Sequence, residues 1–158
     1  MEKTNMKIQL SPTRIVPGVI TVWSEPGPEV DMVMNLHDLT FREGSIDEMY
    51  VFHVLDHLFP HEALSAMQNW NKCLKVHGRI FNVVDDFEFL CRLFIGGEID
   101  IVRFNSEFSH PTQYTRDSLA ELYYAIPFPK DEVVQWNVDI PDLFPKKDHE
   151  IVMSAVKA

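Results

Sequence analysis

Three histidines, His53, His57 and His61, follow one another at intervals of four residues, and Asp56 lies between the first two. On a helix this spacing would bring the imidazoles to one face, and imidazoles with a carboxylate form a ligand set for Zn²⁺. The segment, however, leaves an apolar run typical of a strand, and Pro60 interrupts it. Packing and capping at the end of a strand is therefore the favoured interpretation, and we predict no metal site here.

Two adjacent carboxylates, Asp85 and Asp86, follow another apolar run. A carboxylate at this place could orient a substrate or act as a general base. Asp86 also precedes the apolar segment that starts at Phe87, where an aspartate is suited to cap a helix. Capping is favoured, but the catalytic interpretation of Asp86 stays open. His110 is either a residue of a substrate loop or an anchor for the segment around it.

Short apolar or alternating runs predict seven strands, which are Lys7–Leu10, Val19–Trp23, Asp31–Leu36, Glu48–Val54, Arg79–Val84, Val133–Val138 and Glu150–Val156. Apolar residues at helical spacing and capping signals predict three helices, which are Pro60–Lys75, Phe87–Phe94 and Arg116–Ala125. Strands that alternate with helices indicate an α/β fold with a mainly parallel sheet. The stretch Gly96–Thr112 is the least regular and is interpreted as a lid or substrate loop.

The connection between the first two predicted strands, Ser11–Gly18, is too short for a helical crossover. We therefore predict that the first helix of the fold is reduced or absent. One face of the sheet would then lie bare unless a second copy of the chain or the N-terminal residues covered it. A homodimer is accordingly expected as one possible assembly.

Composition limits the partners of this chain. The 158 residues are 46% hydrophobic and 24% charged, which predicts a single globular domain over residues 1–158. The formal net charge of −10 disfavours nucleic acid and anionic membrane surfaces as partners. The chain opens without an apolar leader segment, so a cytoplasmic protein is expected. A small molecule or another protein is the expected partner.

Several segments, taken in order, resemble motifs of the class I S-adenosylmethionine-dependent methyltransferases of the type 11 kind. The segments are Asn35–Phe41 with Arg42–Tyr50, Phe52–Leu58, Lys72–Ile80, Val84–Asp86, His110–Thr115 with Ser118–Leu119, and Glu150–Lys157. The resemblance implies a Rossmann-like sandwich whose seven-stranded sheet ends in an antiparallel strand. It also implies a cofactor cleft at the carboxyl ends of the first, second and fourth strands, as in open α/β sheets generally.

The resemblance implies roles for particular residues in that cleft. Leu10 and Ser11 stand at the loop that follows the first strand, and Trp23 stands where the family has an acid that binds the ribose. Asn35 stands where an aspartate usually meets the adenine amino group, and Leu36 follows it. His53 would face the methionine or acceptor end of the cleft. Together with Asp86, the carboxylate introduced above, it is a candidate catalytic residue.

The sequence departs from the family pattern in the loop that should cradle the cofactor. Ser11 and Thr13 add Cβ atoms where the family has glycines, and Pro12 lacks a backbone N–H donor. Trp23 donates one hydrogen bond and accepts none, so it cannot replace the acid. Binding of S-adenosylmethionine is therefore expected to be weak or lost.

Two functions of different class remain. One is methyl transfer from S-adenosylmethionine to a small molecule or protein, a reaction in which positioning supplies much of the rate. The other is a catalytically inactive relative that keeps the scaffold as a binding or interaction module.

Overall fold

The computed structural model describes residues 5–107, 109–126, 128, 135–136 and 150–157. Its strands are β1 Lys7–Leu10, β2 Ile20–Trp23, β3 Met32–Val33, β4 Ile46–Phe52, β5 Leu74–Asp85, β6 Gln135–Trp136 and β7 Glu150–Val156. They form one sheet in the order β3-β2-β1-β4-β5-β7-β6. Strands β1 to β5 are parallel, whereas β7 runs antiparallel to both β5 and β6. The predicted mainly parallel, Rossmann-like sheet with an antiparallel last strand is confirmed.

Four α-helices occur in the described part of the chain, namely α1 Pro60–Cys73, α2 Phe87–Ile95, α3 Ile101–Glu107 and α4 Arg116–Tyr124, and a 3₁₀ turn covers Leu55–His57. The main core lies between one face of the sheet and the helices α1 and α4, where Trp70 and Leu119 are fully buried beside Met49 and Ile80. None of the described helices has the length and apolar character needed to cross a bilayer.

The junction between α1 and β5 differs from the prediction. The helix ends at Cys73 because Leu74 already has extended dihedral angles, and β5 therefore starts five residues before the predicted Arg79. Gly78 lies within this strand, and a Cβ there would stand 2.8 Å from the Lys75 carbonyl oxygen. This close approach of two backbone segments requires the glycine.

Helix α3 lies in a stretch that was interpreted as irregular. Its start is stabilised by Asp100, whose Oδ1 accepts a hydrogen bond from the Arg103 backbone N–H at 2.8 Å. The Phe104 ring packs against Phe94 of α2, with ring centroids 4.4 Å apart. The sequence does not indicate α3, because a helix of seven residues is too short to show a clear helical spacing of apolar residues.

The prediction that no helix joins β1 and β2 is confirmed, but the sheet face beneath is not bare. Tyr50 and Phe81 on that face are 2% and 5% exposed. Val16 and Val19, from the connection itself, pack against them in a second apolar cluster. The bare sheet face, which was the reason to expect a homodimer, is thus covered by the chain itself. The homodimer stays a prediction.

Candidate functional site

A pocket of about 340 Å³ opens beside the carboxyl ends of the central strands. The strand order reverses between β1 and β4, and open α/β sheets bind their ligands at such a switch point. The volume lies in the lower part of the range for small-molecule sites. The lining residues are Trp23, Ser24, Asn35, Leu36, His37, His53, Val54, His57 and Leu58.

Four residues predicted to bind a cofactor, Trp23, Asn35, Leu36 and His53, thus lie around one pocket. The structure does not bring Leu10 and Ser11 into its lining. Leu10 is fully buried in the main core, and Ser11 is 1% exposed. Leu10, the last residue of β1, and Ser11, which follows it, are therefore buried and do not contact the pocket in which the motif order places them.

Helix α1 fixes the turn that carries Asn35 and Leu36. The Trp70 indole N–H donates to the Leu36 carbonyl oxygen at 2.8 Å. Asn69 accepts the Leu39 backbone N–H at 2.9 Å and donates to Asp38 at 3.1 Å. These bonds come from two adjacent residues of α1, so this wall of the pocket is held in place by the helix.

Asn35 keeps part of the hydrogen-bonding capacity that an adenine site needs. Its side-chain oxygen accepts the His37 backbone N–H at 3.0 Å, which uses one of two acceptor positions. Asn35 is exposed, and the half-buried Trp23 lines the same pocket. An aromatic face with an amide beside it suits a nucleobase.

The turn after β1 satisfies its own backbone. Gln9 is fully buried, and its Oε1 accepts the backbone N–H groups of Ile15 at 3.1 Å and Val16 at 2.9 Å. Thr13 N–H donates to Ser11 Oγ at 3.3 Å. Internal acceptors therefore engage the backbone N–H groups of Thr13, Ile15 and Val16.

Two more donors of that turn are also engaged. Ser11 N–H donates to the Val22 carbonyl oxygen at 3.3 Å, and Arg14 N–H donates to Glu29 at 3.1 Å. Pro12 has no N–H. The turn residues therefore do not fit the methionine half of S-adenosylmethionine, whereas the walls of the pocket fit its adenosyl half.

His53 lies directly after β4 with a positive φ of 49°. This uncommon conformation for a non-glycine residue places its ring among buried carboxylates. Its Nε2 lies 3.0 Å from Glu150 Oε1, and its Nδ1 lies 3.3 Å from Asp56 Oδ2. The side chains of Asp56 and Glu150 are only 3% and 1% exposed.

This environment sets the protonation state of His53. Burial of the ring lowers its pKa, but the hydrogen bonds to Asp56 and Glu150 outweigh burial and raise the pKa of His53 to about 10. The imidazole is then protonated at neutral pH and donates from both nitrogens. A protonated imidazole cannot accept a proton, so the geometry does not support His53 as a general base. Another catalytic role for His53 stays a prediction.

Glu150 belongs to this site although no motif or spacing in the sequence points to it. Glu150 lies directly opposite Asp85 in the β5–β7 pair, where two like charges destabilise an antiparallel sheet. The His53 ring lies near both, with its Nδ1 3.9 Å from Asp85 Oδ1. The sequence feature that could have indicated this role is the position of Glu150, an acidic residue at the start of a strand that is otherwise mostly apolar.

Asp86 caps helix α2. Its Oδ1 accepts the Phe89 backbone N–H at 3.3 Å, and its backbone forms a bridge with Tyr114. Asp86 does not line the pocket described above. The capping interpretation is thus supported by geometry, and the catalytic role predicted for Asp86 has no contact in its favour.

His110 anchors the segment that follows α3 to the end of β4. Its Nδ1 lies 3.4 Å from Asp56 Oδ2, and its ring lies 4.2 Å from the His57 ring, between centroids. The trio His53, His57 and His61 is not brought together, because His61 lies on α1 and stacks on Phe59. Within the described residues, His61 belongs to no group of close metal-ligating atoms.

Residues 7–82 match the family model of the methyltransferase domain. Just under half of the chain is thus similar to this methyltransferase family. The resemblance drawn from the motif order is thereby confirmed. None of the curated proteins compared with this methyltransferase-like chain matches its sequence.

Solved structures of methyltransferases share the fold. An S-adenosylmethionine-dependent methyltransferase from Thermotoga maritima, described as a possible histamine N-methyltransferase, has a TM-score of 0.66 at 15% identity over 97% of this chain and 82% of that one. A methyltransferase from Methanosarcina mazei has a TM-score of 0.64 at 14% identity over 99% and 94%. At these identities the likeness shows the fold.

A third structure contains ligands. The 1,6-didemethyltoxoflavin-N1-methyltransferase of Burkholderia thailandensis was solved with 1,6-didemethyltoxoflavin and S-adenosylhomocysteine. Its TM-score is 0.57 at 21% identity, over 88% of this chain and 60% of that one. The methyltransferase-like chain described here is thus considerably shorter than that enzyme.

Proposed function

We propose that this protein is a degenerate methyltransferase relative that holds the adenosyl part of S-adenosylmethionine or S-adenosylhomocysteine weakly and acts as a binding module. The observation that carries the proposal is the turn after β1, where internal acceptors hold the backbone N–H groups of Ser11, Thr13, Arg14, Ile15 and Val16. A ligand carboxylate there would have to displace bonds that already exist.

The expected affinity follows from the contacts that are missing. Each lost polar contact costs on the order of 1 kcal/mol, and a micromolar site corresponds to roughly 8 kcal/mol. Loss of the loop donors and of the ribose acid at Trp23 thus weakens binding roughly a hundredfold or more, toward the millimolar range. The adenosyl contacts at Asn35 and Leu36 would supply most of the affinity that remains.

Methyl transfer to a small molecule or protein is the second candidate. The preformed pocket favours it, because Trp70 and Asn69 hold the wall at Leu36 and Leu39 in place. Positioning is the main requirement of this reaction. Turnover in this protein would nevertheless need a mode of holding the cofactor that does not use the loop after β1.

Calorimetric titration with adenosine, S-adenosylhomocysteine and S-adenosylmethionine tests the proposal. If the methionine part makes no contacts, the three dissociation constants should agree within about threefold, since affinity follows the contacts made. Asn35→Ala should weaken all three, whereas Asn105→Leu, a change at an exposed position on α3, should leave them unchanged.

Restoring the family pattern sharpens the test. The triple variant Ser11→Gly, Thr13→Gly and Trp23→Asp should tighten S-adenosylhomocysteine more than adenosine. Loss of Ser11 Oγ frees the Thr13 N–H for the methionine part, whereas an acid at position 23 serves the ribose that both ligands contain. Micromolar binding of S-adenosylmethionine to the unmodified protein, with adenosine at least tenfold weaker, would contradict the proposal and favour the second candidate.

A further inference from the structure

Two imidazoles and one carboxylate meet beside the pocket and have no part in the proposed function. Asp56, His57 and His110 each bring one ligand atom to within 4.8 Å of those of the other two. This donor set is typical of sites for Zn²⁺ and related divalent transition metals. The sequence could not reveal it, because His110 joins the other two only through the fold.

A second observation points to a ligand at this place. Asp56 is 2% exposed, yet its Oδ1 has no hydrogen-bond partner within the described part of the chain. Its other oxygen, Oδ2, faces the Nδ1 atoms of His53 and His110 at 3.3 and 3.4 Å. A buried oxygen without a partner is uncommon in proteins, and an ion or a water molecule is the usual explanation.

Backbone bonds hold the two ligand-bearing segments against each other. Thr112 N–H donates to the Asp56 carbonyl oxygen at 3.2 Å, and the Thr112 hydroxyl donates to the Leu58 carbonyl oxygen. Gln113 donates to the His110 carbonyl oxygen at 3.3 Å. The ligand positions are therefore set by contacts that do not depend on a metal.

We propose that Asp56, His57 and His110 bind one divalent transition-metal ion of the zinc class. Tetrahedral coordination with bonds of about 2.1 Å places ligand atoms roughly 3.4 Å apart, so a movement of about 1 Å closes the site. The His57 side chain is exposed and can make that movement. Asp56 would bind the ion through Oδ1, the oxygen that lacks a partner among the described residues. His53 contacts the other oxygen, Oδ2, and orients the carboxylate, as outer partners do in metal sites.

A metal ion at this site would add an open coordination position to the border of the pocket. Three protein ligands leave a further coordination position for water or for a ligand. His57 also lines the pocket, so that position lies at its border. Metal binding does not depend on the cofactor, and the two proposals can fail separately.

Zinc titration of the full chain, freed of metal by a chelator and measured without S-adenosylmethionine, tests the site. Excess Mg²⁺ should be present to occupy the exposed carboxylates of this acidic protein. One equivalent of Zn²⁺ should bind, and His57→Gln and His110→Gln should each weaken it at least tenfold, because even the loss of outer partners costs ten- to a hundredfold. His61→Gln is the matched control and should change affinity less than twofold.

Co²⁺ provides a spectroscopic check. The unmodified protein should give the visible absorption of a low-coordinate cobalt site, and His57→Gln should lose it. Because His57 is exposed, this variant should fold, which circular dichroism would verify. Absence of stoichiometric binding, or equal affinity in His57→Gln, His110→Gln and His61→Gln, would overturn the site and leave a buried water as the partner of Asp56.

Discussion

The neighbouring parallel strands β1 and β4 end at the same edge of the sheet, and the segments that follow them use their polar groups in opposite ways. After β1, Gln9 and other internal acceptors engage the backbone N–H groups. After β4, His53 and Asp56 form a charged cluster beside a pocket, and Asp56 Oδ1 has no hydrogen-bond partner among the residues that the structure describes. In this fold the segment after β1 thus engages its own backbone, while the segment after β4 gathers charged side chains at the border of the pocket.

The closed turn and the charged cluster also differ in what holds them. Neutral bonds from Gln9, whose Nε2 donates to Thr21 Oγ1 at 2.8 Å, stabilise the turn. The cluster depends on an imidazolium between buried carboxylates, which is favourable only while both signs are present. Substitutions that remove one member should therefore cost more in the cluster than in the turn.

Glu150→Gln should have the largest effect on stability. The change keeps the size of the side chain but removes one of the three carboxylate charges around the His53 imidazolium, which are those of Asp56, Asp85 and Glu150. Breaking a buried ion pair costs about 3–5 kcal/mol, and the 32% exposure of the His53 side chain reduces the expected loss to about 3 kcal/mol. Urea unfolding at pH 7 in chelator measures it, with the exposed Glu98→Gln as control.

The pH dependence checks the cause of that loss. Because the pKa of His53 is raised to about 10 from 6.5, the folded state holds an extra proton between these values. The stabilisation is full below pH 6.5 and falls as the pH rises toward 10, by at most roughly 1.4 kcal/mol per pH unit. The difference between the unmodified protein and Glu150→Gln should therefore shrink over this range. A difference that stays constant to pH 10 would show that charge is not the cause.

Gln9→Leu should have a smaller effect and tests the closed turn. Leucine fits a fully buried position but leaves the N–H groups of Ile15 and Val16 without their acceptor. We expect a loss of about 2 kcal/mol in urea unfolding. The control is Gln68→Leu at an exposed position of α1, which should stay within about 0.5 kcal/mol. An equal, small loss in both variants would mean that Gln9 does not hold the turn.

The sequence predicts the frame of the molecule better than its charged cluster. The bounds of β1 and β7 match their apolar runs, and Thr115 caps α4 as its position suggests. Motif order also places Trp23 and Asn35 at one pocket. These signals are local or depend on the order of segments along the chain, so they can be recognised in one sequence without knowledge of distant contacts.

The parts that the sequence could not predict depend on distant contacts. His53 and Glu150 are 97 positions apart, and their bond requires the antiparallel register of β7 on β5. The pairing of His57 with His110 likewise requires α3, which the sequence did not indicate. The closed turn depends on Gln9, a polar residue inside a strand whose partners no spacing rule reveals.

Asp86→Ala should have the smallest effect and separates the two interpretations of this residue. Removing a helix N-cap costs about 1 kcal/mol, and the capping bond to Phe89 N–H is the one that this change removes. Thr115→Ala is a matched control, because Thr115 caps α4 through a 3.2 Å bond from Ser118 N–H and lies outside the pocket lining. Both variants should lose similar stability and keep the adenosine affinity of the unmodified protein. If Asp86→Ala instead keeps its stability but weakens ligand binding while Thr115→Ala does not, Asp86 faces a ligand, and the carboxyl end of β5 joins that of β4 as a functional edge.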